Sequence, residues 1–447
     1  MSGSLLLAAL LLFAVPASAN GRFPASGQIL VDPADSSNLL LRATFGLLTS
    51  KDGGKTAGWV CEQAIGYAGQ EDPMMARAGD GALLAGLYEG LSISRDGGCS
   101  WAFAGGPLAG LSIIDLSARA SGDQAVLVLA AAPSGPMAGV GQVLRSADHA
   151  ETFTPLKGAL PADFLPLTVD GAPSSPEVIY VSGRFGKPDY QGSLLRSGNG
   201  GESWERLDIP GALDRLPYIA AIAPDDPQKV YVRIDEPGGD TLVMTGDGGK
   251  SFDMIFQGTG DLLAFALSPD GSELAVGGDK DGLHHATAAS LTFTKVSSIT
   301  ARCAAWAKDG LYVCADQLLD GFAMGFSTDG GATLAPKMLL TAACAPLDCP
   351  AGTSVGTDCP AAWPATAKKL NAPDCTPDGG SSASSAESSS SGGTSGGGCG
   401  CMLTRDAGST ALSIVTSVMW ALAIGWRRAL FLTQSRKGAK AQKRKKN

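Results

Sequence analysis

Ser197-Gly198-Asn199-Gly200-Gly201-Glu202-Ser203-Trp204 decides the fold, because the same eight-residue pattern returns along the chain. Earlier copies are Ser50-Lys-Asp52-Gly-Gly54-Lys-Thr56-Ala and Ser94-Arg-Asp96-Gly-Gly98-Cys-Ser100-Trp101, followed by Ser146-Ala-Asp148-His-Ala-Glu-Thr152-Phe153. Later ones are Thr245-Gly-Asp247-Gly-Gly249-Lys-Ser251-Phe252 and Ser327-Thr-Asp329-Gly-Gly331-Ala-Thr333-Leu. A decayed copy, Ala286 to Phe293, keeps only Thr292-Phe293, and with it successive starts lie 41 to 52 residues apart. A fixed period of that size is one four-stranded propeller blade per repeat.

The pattern has a local physical reason. An Asp or Asn side chain can accept the N–H groups of its own turn, and glycine supplies positive φ. The Ser or Thr hydroxyl closes the same turn, and the aromatic that follows packs between sheets. Each box is therefore a stapled hairpin. A second element precedes several boxes: Pro176-Glu-Val178-Ile-Tyr180-Val181, Pro227-Gln-Lys-Val230-Tyr231-Val232 and Pro269-Asp-Gly271-Ser-Glu-Leu274-Ala-Val276. Each joins a Pro-led turn to a short strand apolar on both faces, as stacked blades require. The expected fold is all-β, a seven-bladed β-propeller, with six blades the alternative if the decayed copy is an excursion within one blade. The ring is expected to close near residues 21–31 and 335–345, one terminus completing a blade begun by the other.

These octapeptides resemble the Asp-box, or BNR, repeat, over roughly residues 22–340. The best-known proteins with that repeat are sialidases, so the resemblance raises a glycosidase as an alternative function. It would imply an arginine triad, a Tyr–Glu nucleophile pair and an Asp acid. The nearest candidates are Arg22 in Arg22-Phe23-Pro24, then Arg184, Arg233 and Arg302, with Tyr190, Tyr218, Tyr231 and Glu236. No local motif singles these out, and no residue is assigned as catalytic. The box carboxylates belong to their turns. His149, His284 and His285 read as loop residues. Asp279-Lys280-Asp281 and the acidic turn Asp235 to Asp240 lack the ligand spacing of a calcium loop. No cofactor and no metal is expected.

Both chain ends read as targeting segments. Leu5 to Val15 is apolar and ends in Pro16-Ala17-Ser18-Ala19, so residues 1–19 are expected to be a signal peptide. Ala411 to Trp426 is free of charge and is followed by Arg427-Arg428 and a basic end, the pattern of a membrane span with its tail in the cytoplasm. Nine of the 34 Lys/Arg and none of the 43 Asp/Glu follow Trp426, leaving 25 basic against 43 acidic groups, a net of −18, before it. An ectodomain that acidic speaks against nucleic acid or an anionic lipid surface as its partner.

Ten Cys in an exported chain suggest disulfides. Cys303 and Cys314 flank the turn Lys308-Asp309-Gly310, and a cross-strand bridge is expected there. Cys61 and Cys99 occupy similar places in adjacent blades and could link them. Cys344, Cys349, Cys359 and Cys375 are expected to form a small Pro-rich knot over 344–378 with three possible connectivities. Without a Cys-x-x-Cys pair or a nearby His, zinc is the weaker reading. Residues 379–398, almost all Ser, Gly, Thr and Ala, cannot bury a core and read as a flexible stalk. The stalk, Cys399-Gly-Cys401, the span and the basic end (399–447) together resemble the myxobacterial C-terminal sorting tag. That resemblance implies processing near Cys399 or Cys401 by a sorting protease. The expectation is thus an exported propeller (20–343), held at the membrane or cell surface, that binds a protein or glycan without catalysis.

Overall fold

The computed structural model describes residues 24–68, 71–118, 125–133 and 140–372. Seven antiparallel four-stranded sheets follow one another along the chain: blade 1 (26–60), blade 2 (74–103), blade 3 (112–155), blade 4 (164–213), blade 5 (216–257), blade 6 (262–297) and blade 7 (303–338). The chain is a seven-bladed β-propeller. Every blade is a simple meander, its first strand innermost. The second strands are the most buried: Val126–Ala131 is buried throughout, as are Leu83–Gly86 and the stretch Ile179 to Gly183. Sheets covered on both faces need such runs, and each fully buried Leu or Ile contributes about 2–3 kcal/mol of transfer free energy. Blade 6 is complete although its box has decayed; a turn in which Leu291 N–H donates to Thr287 O replaces it.

Six boxes share one hydrogen-bond scheme. The hydroxyl of Ser50, Ser94, Ser146, Ser197, Thr245 or Ser327 donates to the Asp or Asn two residues on, at 2.6–2.9 Å. The same oxygen accepts the N–H four residues on, at 2.8–3.0 Å. The Asp or Asn then accepts the N–H four residues beyond itself, at 2.8–3.1 Å. The Ser146 and Ser327 hydroxyls hold Asp148 and Asp329 down at about 2, and the Ser251 N–H does the same for Asp247. The Pro-led element seats the box: Gly200 N–H donates to Glu177 O and Gly248 N–H to Gln228 O.

The second box glycine also fits the box to the preceding blade. A Cβ on Gly201 would lie 2.3 Å from Leu156 Cδ1, and one on Gly249 2.5 Å from Leu207 Cδ1. Box 3 departs from this, with His149 at φ 58° and Ala150 at φ 67°. The fourth strand of blade 2, Ala102–Phe103, is only two residues long. An open space of about 690 Å³ lies at that seam, walled in part by Ala102, Ala104 and Ala150.

Polar side chains of inner strands close several seams. The Gln28 amide pairs with both the N–H and the C=O of Met75, at 2.9 and 2.8 Å. Asp115 Oδ2 accepts Val169 N–H at 2.8 Å, and Thr168 Oγ1 accepts Ile219 N–H at 2.9 Å. Between blades 7 and 1 the Ser26 hydroxyl reaches Ala315 O and Ala323 O.

Ring closure differs from the sequence expectation. Neither terminus completes a blade begun by the other, because blade 1 takes all four of its meander strands from residues 26–60. Instead the chain leaving blade 7 adds Ala343–Pro346 as a fifth, parallel strand outside the fourth strand of blade 1. It then runs into a helix, Ser354–Leu370, where a Pro-rich knot was expected. Pro360 and Pro364 hid that helix, since each removes an N–H donor and crowds the preceding turn. Its ends are well defined: Thr353 Oγ1 accepts Gly356 N–H at 3.1 Å, and Asn371 is left-handed at the C-cap.

The disulfides follow this strap. Cys303–Cys314 is the expected cross-strand bridge. Cys61 and Cys99 do not pair with each other. They join Cys359 and Cys349, across 298 and 250 residues, so those two cysteines leave the expected knot. Cys344 is disulfide-bonded as well. The strap brings Cys349 and Cys359 to the outer edges of blades 1 and 2, and sequence spacing does not encode that placement. The signal segment 1–19, Arg22, Cys375, the stalk 379–398, Cys399, Cys401, the span and the basic tail lie outside the described residues. Among the described residues no helix is long and apolar enough to cross a membrane.

Candidate binding face

A meander gives each blade two kinds of end. The turns between strands one and two, and three and four, lie together and include every box. The opposite end carries the turns between strands two and three and the connectors between blades. The box end is engaged with itself, through the bonds described above. The opposite end differs in composition.

Nine large apolar side chains are exposed among the described residues; Phe103 and Met254 each follow their box by two residues, and the other seven lie at the opposite end. Met74 and Leu263 sit at the starts of the inner strands of blades 2 and 6. Tyr88 is in the turn between strands two and three of blade 2, and Leu213 and Leu339 are where blades 4 and 7 end. Leu318 and Leu319, 70% and 77% exposed, crown a single helical turn on blade 7, Gln317–Asp320. That turn is held rigidly. Asp316 caps it by accepting Leu318 N–H at 3.0 Å, and Gln317 Oε1 accepts Leu340 N–H, which brings Leu339 close by. A mobile tip would lose binding energy in ordering these side chains, and this one is already fixed.

The same end holds the arginines considered for a substrate carboxylate, and each is engaged within its own blade. Arg184 bonds Asp214 and lies 5.6 Å over the Tyr190 ring. Arg233 Nη1 donates to Asp240 Oδ2 at 2.7 Å and covers the Tyr218 ring at 4.4 Å. Arg302 Nη2 donates to Asp316 Oδ2 at 2.5 Å. Tyr231 is fully buried, and burial pushes its phenol up to about 12, which removes it as a nucleophile near neutral pH. Glu236 accepts the Thr241 hydroxyl at 3.2 Å.

The remaining polar candidates are structural too. Asp281 accepts Thr259 N–H at 2.9 Å and its hydroxyl at 2.8 Å. Burial raises Asp261, and Asp240, Asp279 and Asp235 raise it further, which marks this part of the face as acidic. His285 pairs with Glu273, while His284 is lowered by burial and meets the Phe256 ring edge-on. Among the described residues no three side chains are placed to hold a metal ion.

Comparison with known proteins adds little chemistry. No family model matches the chain, and no curated protein matches it. Solved propellers are similar at low identity. An ancestral GH74 enzyme shares 15% identity over 71% of this chain and 49% of its own, with a TM-score of 0.49, so this chain spans about half of that enzyme's length. The Hadza microbial sialidase Hz136 shares 13% over 63% and 72%, with a TM-score of 0.38. The Dos1 propeller shares 12% over 68% and 81%, with a TM-score of 0.45. Enzymes and other propellers thus stand side by side, and likeness at this level carries no functional argument.

Proposed function

We propose that this protein is an exported binding propeller, without catalysis, that presents the end opposite its boxes to a protein partner. The observation that carries the reading is the segregation of exposed apolar side chains: seven of the nine, all but Phe103 and Met254, lie at that end. Exposed Leu and Tyr gathered on one face mark interaction sites rather than ordinary surface. The arginines there neutralise carboxylates of their own blades, so a substrate carboxylate would have to displace those partners. That argues against the sialidase-like alternative. The signal segment and the basic-tailed span support export and attachment at the cell surface, and the Cys399-Gly-Cys401 motif supports processing as a sorting tag. Disulfides fit an oxidising compartment.

A photo-crosslinking residue placed singly at Leu318 or Tyr88, and for comparison at Lys55 or Lys250 on the box turns, tests the reading in the producing cell. Covalent adducts are expected from Leu318 and Tyr88 at several times the yield from the box positions. Equal yields, or adducts confined to Lys55 and Lys250, would overturn the assignment of the face.

A further inference from the structure

In four seams the residue three positions after one box helps to fill the space over the second glycine of the next. A Cβ on Gly98, Gly201, Gly249 or Gly331 would lie 3.8, 2.3, 2.5 or 3.4 Å from Val60, Leu156, Leu207 or Val296 respectively. The seam between blades 2 and 3 breaks this rule. There the corresponding residue is Ala104 and the box residue is Ala150, and both border the open space of about 690 Å³. Ile93, Pro107 and Phe153 are among its other walls, so the space is largely apolar. The branched side chain that fills the other seams is missing from this one.

The neighbouring seam shows how such a space is filled from outside the meander. Ala343–Pro346 lies as an added strand beside the fourth strand of blade 1. Leu347, directly after it, holds Cδ2 3.6 Å from where a Cβ on Gly98 would be. Blade 2 has an edge open to the same arrangement. Ala104 N–H donates to Leu91 O at 2.8 Å and Ala102 stands opposite Ile93, so Phe103 between them directs its N–H and C=O away from the sheet. The strap covers only the beginning of that edge, where Trp101 N–H donates to Ser354 Oγ at 3.1 Å. Outward backbone groups beside an apolar hole suit an added strand, whose main chain gives affinity while the hole selects a side chain. The rim sets the charge of what fits. Arg95 pairs with both Asp80 and Glu151 at 3.2 Å, and Asp96 belongs to its own box turn, so three carboxylates meet one guanidinium.

We propose that the seam between blades 2 and 3 binds an extended peptide of a partner protein as a fifth strand of blade 2. A Leu, Ile or Val side chain of the peptide enters between Ala104 and Ala150, and a Lys or Arg beside it faces Glu151. The site is separate from the end face and does not depend on that reading. Selecting a displayed library of short linear peptides on the full-length protein, then titrating the enriched peptides by fluorescence anisotropy, tests the proposal. Enriched peptides are expected to carry an aliphatic residue next to a basic one. Ala104→Leu supplies the missing side chain from within, as Leu156 and Leu207 do, and should weaken binding about tenfold or more by closing the central pocket. Glu151→Gln, on the exposed rim, should weaken binding several-fold at low salt and much less at high salt. Leu318→Ser, on the end face, should leave the same peptides unaffected. A library that enriches nothing would overturn the proposal, as would peptides bound equally by the wild type and by either seam variant.

Discussion

Replacing Cys61 and Cys359 together by alanine should lower the unfolding free energy by about 4 kcal/mol, one of the two largest losses expected in this molecule. The bridge spans 298 residues, but Cys99–Cys349 already closes 250 of them, so its removal frees a loop of 48 residues, and in the chain-entropy account the cost of closing a loop grows with the logarithm of its length. The same account gives only about 3 kcal/mol for Cys303–Cys314, whose partners are 11 residues apart. Neither half-cystine of the long bridge is exposed, so alanine is a better replacement than serine, whose hydroxyl would be buried without a designed partner. Urea titration of the variant beside the wild type reads the difference. A loss below ~1 kcal/mol would mean that the strap does not hold blade 1.

The second large effect depends on pH. Asp115 lies on the inner strand of blade 3 and bonds blade 4 through Val169 N–H. Burial pushes its carboxyl up from 3.8 to about 7, against the pull of the Val169 and Leu116 N–H groups, and the Asp170 charge adds to the rise. The folded protein therefore holds a proton that the unfolded chain releases near pH 4. Between those values the native state binds the extra proton, so its stability falls as pH rises, with the loss complete above about pH 7. A shift of about three units at 1.4 kcal/mol per unit amounts to roughly 4 kcal/mol. Asp115→Asn keeps an acceptor for Val169 N–H without the charge. It should match the wild type near pH 4 and exceed it by up to roughly 4 kcal/mol at pH 8. Parallel stability profiles for the two proteins from pH 4 to 8 would contradict the assignment.

The parts of the fold that were legible in the sequence are those whose chemistry closes within a few residues. A box needs a hydroxyl, a carboxylate or amide oxygen two residues on and a residue able to take positive φ, so Ser197, Asn199 and Gly201 announce their turn unaided. The same locality made Cys303–Cys314 visible across its hairpin. It also explains how seven blades could be counted although blade 6 keeps almost nothing of its box: the spacing of its neighbours leaves room for one sheet.

The strap was illegible for the opposite reason. Cys61 and Cys359 meet only once seven blades have brought the chain round, and the helix that carries Cys359 is disguised by Pro360 and Pro364. The candidate face was partly hidden too. Arg184, Arg233 and Arg302 were visible as arginines, but Asp214, Asp240 and Asp316 are joined to them by turns whose shape no motif reports. The apolar end becomes apparent only when Tyr88, Leu213 and Leu318, from three blades, are assigned to one end of the meander. Its nearest sequence signal is Leu318-Leu319 between Asp316 and Asp320, an apolar pair in an acidic turn.

At the centre of this account is a seven-bladed propeller whose C-terminal strap is joined by disulfides to blades 1 and 2. Peptide mapping of the protein taken from its producing cells, with thiols blocked before digestion and fragments compared with and without reduction, tests that most directly. The expected result is cross-linked fragments joining Cys61 to Cys359 and Cys99 to Cys349. Blocked free thiols at those four positions, or a fragment joining Cys61 to Cys99, would contradict it.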